Sequence, residues 1–219
     1  MNPKQVYYQN LANTLIPQFA KRNMEACYCA TSAEAKELVL SLIPKGSTVT
    51  NGGSMTLEET GILPALQTDD YAYVPRLKSD DKKAVQAQFA RQAQCDYFLM
   101  STNAFTADGE LVNIDGSSNR MAMLLHGPRN VIVVAGMNKL TMTQEDALRR
   151  VHNMAAPPNA ARLEKKTPCA LTGFCGDCLS AETICCQEVI TRYSRIPGRI
   201  KIVLIGENLG FSGRQGQNA

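Results

Sequence analysis

The run Val131-Ile132-Val133-Val134-Ala135-Gly136 constrains this chain more than any other feature. It is continuous, apolar and largely β-branched. A strand with no polar face must be covered on both sides, which is the habit of parallel strands inside a layered α/β domain. Its neighbours supply the covering layers. Helical patterning is expected over 6–22, 32–43, 56–66, 79–94, 119–125 and 143–155. Strands are expected at 25–30, 47–50, 71–74, 97–101 and 201–205. Such alternation predicts right-handed βαβ units and an α/β fold, a mostly parallel sheet with helices on both faces. Local signals agree with these limits. Thr31 or Ser32 caps one helix with Glu34 in its first turn, acids Asp80 and Asp81 open another, and Thr143 caps a third with Asp146 three residues on. Pro17 is expected to kink the first helix or start a second piece. The segment 110–114 suggests a short hairpin. Pro157-Pro158-Asn159 marks a change of style, after which periodicity fades until about residue 181. The expected organisation is a core over 1–159, a cysteine-rich appendage over 160–190, and a tail over 191–219 that returns to the sheet.

Composition narrows the function classes. The chain has 219 residues, 44% hydrophobic and 20% charged, enough for a real core. A net charge of +3 is too weak for a nucleic-acid footprint. Met1 to Leu15 has no apolar leader core, and no stretch is long and apolar enough to span a bilayer. A cytoplasmic protein without membrane or nucleic-acid partners is expected. In that compartment its eight cysteines are reduced thiols or ligands rather than disulfides.

Four motifs carry chemistry. The first joins a strand to a helix: Asn51-Gly52-Gly53-Ser54-Met55-Thr56, with Glu59 a turn further on. Adjacent glycines admit a tight bend and a close ligand approach, and the hydroxyls of Ser54 and Thr56 suit a phosphate or carboxylate. Glu59 is a candidate acid or base. A plain capped turn is the alternative. The second motif runs from Thr102 to Arg120, on the carboxyl edge where α/β proteins place ligands. It concentrates Asn103, Asp108, Asn113, Asp115, Asn119 and Arg120. These are candidate ligand-binding groups, with Asp115 a candidate proton carrier; a self-satisfying asparagine loop is the alternative. The third, Gly136-Met137-Asn138-Lys139, leaves the buried strand. Asn138 is a candidate contact, and Lys139 meets an anion or acts as a nucleophile if desolvated. A solvated lysine competes with that reading.

The fourth motif is a cysteine cluster: Cys169, Cys175, Cys178, Cys185 and Cys186, with a Cys-x-x-Cys core. Four thiolates, Cys169, Cys175, Cys178 and Cys185, would hold a zinc ion or an iron–sulfur cluster, although the spacing matches the commonest signature of neither. Reduced thiols and a redox dithiol at Cys175 and Cys178 are the alternatives. Only two histidines are present, so a histidine-based triad or metal site has no support. Neither Gly-x-Gly-x-x-Gly nor a Walker loop occurs.

The run from Gly52-Gly53-Ser54-Met55-Thr56 with Glu59, through Leu99 to Arg120 and Val131 to Lys139, to Thr167-Pro168-Cys169 and Cys175-x-x-Cys178, resembles the lactate-utilization (LUD, DUF162) domain family. The resemblance extends from about residue 5 to Phe211 and includes the tail Val203 to Phe211. It implies a fold like glucosamine-phosphate deaminase, ribose-phosphate isomerase and the CoA transferases (NagB/RpiA/CoA transferase-like). It also implies a role in organic-acid utilization, a small anionic metabolite as ligand, and an iron–sulfur oxidoreductase as partner. A homodimer is one expected assembly. An isomerase or transferase acting on a sugar phosphate or acyl-CoA is the competing expectation.

Overall fold

The computed structural model describes residues 2–211. In chain order the elements are α1 (Pro3–Lys21), β1 (Glu25–Cys29), α2 (Ser32–Ser41), β2 (Thr48–Asn51), α3 (Met55–Glu59), α4 (Ile62–Leu66), β3 (Ala72–Tyr73), α5 (Lys82–Ala93) and β4 (Tyr97–Met100). There follow β5 (Ala104–Thr106), β6 (Leu111–Asp115), α6 (Asn119–His126), β7 (Asn130–Gly136), β8 (Leu140–Thr141), α7 (Gln144–Arg150), α8 (Ala156–Arg162), α9 (Pro168–Thr172), β9 (Gln187–Thr191) and β10 (Ile200–Ile205).

The main sheet has six strands in the order β1-β10-β7-β4-β2-β3, all parallel. β7 lies inside it, as its unbroken apolar run demands. Its alternate side chains serve two cores. Val131, Val133 and Ala135 face Ala12, Leu15 and Phe19 of α1 and Met121 and Leu124 of α6. Ile132 and Val134 face Ala35 and Val39 of α2, Leu57 of α3, and Ile62 and Leu66 of α4. The fold is therefore the expected α/β layering with helices on both faces. Among the described residues no helix is long and apolar enough to cross a membrane.

A second sheet, of which the sequence expectation held only the hairpin at 110–114, has the order β8-β5-β6-β9. Its inner hairpin, β5 with β6, is antiparallel, and β9 pairs antiparallel with β6 along five residues. β9 escapes sequence reading because only Thr191 of its five residues is buried, so it carries no apolar alternation. The expected boundaries at 159 and 190 fall inside α8 and β9.

Three local expectations differ from the structure. α1 runs through Pro17 without a break. The helix expected over 56–66 is two short ones, parted at Gly61, whose φ of +67° is the left-handed region that glycine enters freely. The proline pair does not end a helix. After α7 the backbone widens into a π-helical turn, Val151–Ala155, and continues as α8. Pro157 and Pro158 then sit in the first turn of α8, where a missing N–H costs little.

Candidate functional site

The strands β2, β4, β7 and β10 are parallel, so their carboxyl ends open on one edge of the sheet. The turns leaving them converge on a cleft of about 680 Å³. Its walls include Gly53, Ser54 and Thr56 after β2, Ser101, Thr102 and Asn103 after β4, and Lys139 after β7. Gly210 and Phe211 after β10, and Asp115, Asn119 and Arg120 after β6, complete that side.

Arg120 joins the two loop systems. Its Nε donates to Asp115 Oδ2 at 3.1 Å. Nη1 donates to Asn113 Oδ1 at 2.6 Å and the Ser101 carbonyl at 3.2 Å. Nη2 donates to Asn103 Oδ1 at 3.0 Å and the Ile114 carbonyl at 3.1 Å. All five N–H groups of the guanidinium are thus engaged within the protein. Gly52 packs on the stem of the same side chain: a Cβ there would lie 3.1 Å from Arg120 Cγ and 3.2 Å from Phe98 Cζ. Glycine at 52 is what lets the diglycine bend touch the arginine. Arg120, Asn103, Asn113 and Asp115 therefore form the scaffold of the loop, with Asp115 Oδ1 also accepting the Ser118 N–H at 2.9 Å. Asn119 accepts from the Ser117 hydroxyl at 2.9 Å on the cleft wall.

Lys139 is the most unusual group present. Its side chain is buried in the wall, and Nζ donates to Ser101 Oγ at 2.7 Å and Thr56 Oγ1 at 2.9 Å. Burial pushes the Lys139 ammonium down to about 7; the nearby Arg150 guanidinium adds to this, Glu59 opposes it and Arg120 adds a little more. Arg150 stands beside it and donates to the carbonyls of Asn103 (2.6 Å), Phe211 (2.9 Å) and Asn138 (3.3 Å). The basic lining continues outward through the exposed Arg76, Lys78 and Arg162 and the half-buried Lys165. Asp115, held by Arg120, and Glu182 are the acids of the same lining.

Two candidates serve the wall from behind. Glu59 Oε2 accepts the Gly210 N–H at 2.6 Å. Asn138 exchanges two hydrogen bonds with Leu209, at 3.1 and 3.2 Å. Both pin the strap Glu207–Phe211 beside Lys139. Ser54 Oγ caps α3 by accepting the Leu57 N–H at 3.2 Å while still lining the cleft. Asp108 stands apart. It sits in the β5–β6 turn, at the far end of the hairpin from the loops that line the cleft. There its carbonyl accepts from Arg22, and it lines a separate hollow with Gln18, Lys21 and Arg192. The Asp-Gly pair makes the hairpin tip, so the strands carry it away from the sheet edge.

Sequence reasoning missed Ser101, Arg150 and the strap. Ser101 had a usable signal, since it is the first residue after a buried strand on the ligand edge. Arg150 had none: it lies at the end of α7, and only the turn of the chain brings it to Asn103.

The cysteine segment borders the cleft through Cys185 and Cys186. The Cys186 N–H donates to the Asp115 carbonyl at 3.0 Å. Burial pushes the Cys185 thiol up to about 11, and the thiols of Cys169, Cys175, Cys178 and Cys186 push in the same direction, so these sulfurs share one neighbourhood. Cys175 Sγ lies 3.6 Å from His152 Nδ1, and Cys178 Sγ lies 3.5 Å from Ser180 Oγ. Yet among the described residues no group of three or more His, Cys, Asp or Glu side chains is arranged to hold a metal ion. A zinc ion or cluster needs three or four donors converging on one point. The residues as placed do not fit one.

The LUD domain family model matches residues 12–205. No curated protein matches the chain. Among solved structures, a DUF162 family protein from Deinococcus radiodurans is 11% identical with a TM-score of 0.52, over 90% of this chain and 97% of that one. That likeness shows a shared fold. Ribose 5-phosphate isomerase from Plasmodium falciparum is 14% identical with a TM-score of 0.33, over 51% of this chain and 52% of that one. The eIF2B delta subunit from Chaetomium thermophilum is 13% identical with a TM-score of 0.35, over 65% and 55%.

Proposed function

This chain belongs to the LUD domain family, and from that premise we propose that it binds a small anionic metabolite in the cleft at the carboxyl edge of its main sheet, in the service of organic-acid utilization. The observation that carries the reading is the excess of cationic groups in one cleft: Lys139 and Arg150 in its wall and Arg76, Lys78 and Arg162 around it. The whole chain has a net charge of only +3, so the positive potential is concentrated there rather than spread. Thr56, Ser101 and Ser54 add hydroxyls suited to carboxylate or phosphate oxygens. Lys139 is the group that meets the anion. An arriving negative charge draws a proton onto its amine, and the exposed arginines steer the approach.

The cleft of about 680 Å³ is larger than a three-carbon acid needs and lies in the range that holds a drug-sized or cofactor-sized ligand. That size favours, as the second reading, an isomerase or transferase acting on a sugar phosphate or acyl-CoA. Lys139 would then move the proton. Calorimetric titration with inorganic phosphate, short hydroxy acids, sugar phosphates and CoA esters tests the reading. At least one class is expected to bind, and Lys139→Met and Arg76→Ser should each weaken it about tenfold, or about 1.4 kcal/mol. Unchanged affinity in both variants contradicts the site.

A further inference from the structure

We propose that the Lys139 amine is a covalent site for carbonyl compounds that carry an anionic group, joining them as a Schiff base. The proposal rests on the anion-binding reading of the same cleft and adds a bond to it. Lys139 closes the 3-10 turn Met137–Lys139 directly after β7, so its backbone is fixed by the most buried strand of the sheet. Its side chain is 5% exposed and forms part of the cleft wall. Two hydroxyls, Ser101 Oγ at 2.7 Å and Thr56 Oγ1 at 2.9 Å, accept from Nζ. They orient the amine without supplying a counter-charge. Ser101 directs its own hydrogen at the Thr102 carbonyl, 3.4 Å away, which leaves its lone pair for Nζ. A tetrahedral nitrogen bonded to Cε and donating twice keeps one further direction, and that direction has no partner among the described residues.

Two more observations point the same way. Among the described residues no carboxylate lies within ion-pair distance of Nζ; Glu59, the acid that influences it, accepts the Gly210 N–H at 2.6 Å. Gly210 itself has φ +68°, and a Cβ there would stand 3.3 Å from Nζ and 3.0 Å from Thr56 Oγ1. Glycine keeps the space beside the amine open. With burial pushing the ammonium down to about 7, near half of it is neutral at neutral pH. An ordinary lysine is neutral there at only about one part in a few thousand.

The step balances without any oxidant or reductant. The Nζ lone pair attacks the carbonyl carbon, an N–C bond forms, and the C=O π pair moves to oxygen, which takes a proton that nitrogen gives up. The carbinolamine then expels that hydroxyl as water while nitrogen closes the C=N bond and releases its remaining proton. Amine and carbonyl become imine and water.

The test treats the full chain with glyoxylate, an oxo acid, or with glyceraldehyde 3-phosphate, an aldehyde phosphate, each with cyanoborohydride to reduce any imine. Peptide mass mapping then follows the rate at every lysine. Lys139 should be labelled far faster than the other lysines, by up to about a thousandfold, the ratio of their free-base fractions. Saturating inorganic phosphate should slow that labelling, and the arm that reacts faster tells carboxylate from phosphate recognition. Ser101→Ala should slow labelling several-fold while a folded spectrum is retained. Labelling spread evenly over all lysines overturns the proposal. Phosphate titration on the same sample separates the two claims: phosphate bound with Lys139 unlabelled sinks the covalent site and leaves the anion site standing. Rapid Lys139 labelling that neither phosphate nor a short hydroxy acid slows supports the covalent site and sinks the anion reading.

Discussion

At the scale of single residues the site is one arginine and one lysine in different states. Arg120 is held: five donors, five neighbours, and an ion pair to Asp115 with both side chains largely buried. Burial pulls its guanidinium down from the usual value, and Asp115 opposes the pull. Removing Asp115 leaves that charge buried without its counter-ion. Asp115→Ala should therefore cost about 3–5 kcal/mol in urea unfolding, whereas a loss below about 1 kcal/mol would mean the pair is not formed. Lys139 is the opposite case, a buried cation without an ion-pair partner among the described residues. Its folded value of about 7 lies below the ordinary value of 10.5, so between them the unfolded chain binds the extra proton. Stability from this group therefore rises with pH, by up to about 1.4 kcal/mol per unit, from about 7 until the unfolded value is reached. The groups that set the shift besides burial are Arg150, Glu59 and Arg120. Lys139→Met lacks this dependence. It should be more stable than the wild type at pH 7, and the gap should narrow by pH 9; a gap that stays constant contradicts the buried-cation account. Lys139 was legible in the sequence because it follows the most strand-like run in the chain. Asn103, Asn113 and Asp115 were legible as a polar concentration, but not as a scaffold for Arg120, since their partner lies up to 17 residues away.

Elements decide what the residues can reach. The strap Glu207–Phe211 is fastened beside Lys139 from three sides, by Glu59, Asn138 and Arg150. It passes so close to the end of β7 that a Cβ on Gly136 would clash with Asn138 Oδ1 and lie 2.6 Å from the Glu207 carbonyl. Gly136→Ala should displace the strap, costing about 1–3 kcal/mol and weakening any ligand held by Lys139. Thermal unfolding with and without phosphate checks both effects. An unchanged melting temperature would show that the strap does not lie there. At this scale the main-sheet strands and the larger helices were legible, because their apolar periodicity is strong. β9 was not, being a mostly exposed edge strand. The continuation of α7 into α8 was missed for another reason: a π-helical turn resets the hydrogen-bond register and makes the prolines the start of a segment instead of its end.

The whole molecule is a six-stranded parallel sheet whose turns meet at one edge, with a second small sheet that folds the 111–115 strand and the cysteine segment against that edge. That the motif-bearing turns gather on the carboxyl edge was expected from the alternation of strands and helices; the pairing of β8 and β9 with the 104–115 hairpin and the closure by the C-terminal strap depend on contacts that no local pattern encodes. This edge is proposed to be an anion site organised by Lys139. Crystals grown with tungstate, a heavy mimic of phosphate, test it most directly through anomalous scattering. A peak is expected within hydrogen-bond reach of the Lys139 amine and Ser101 or Thr56, and is lost in Lys139→Met. Tungstate found only in the hollow beside Arg22 and Asp108, or nowhere on the protein, would contradict it.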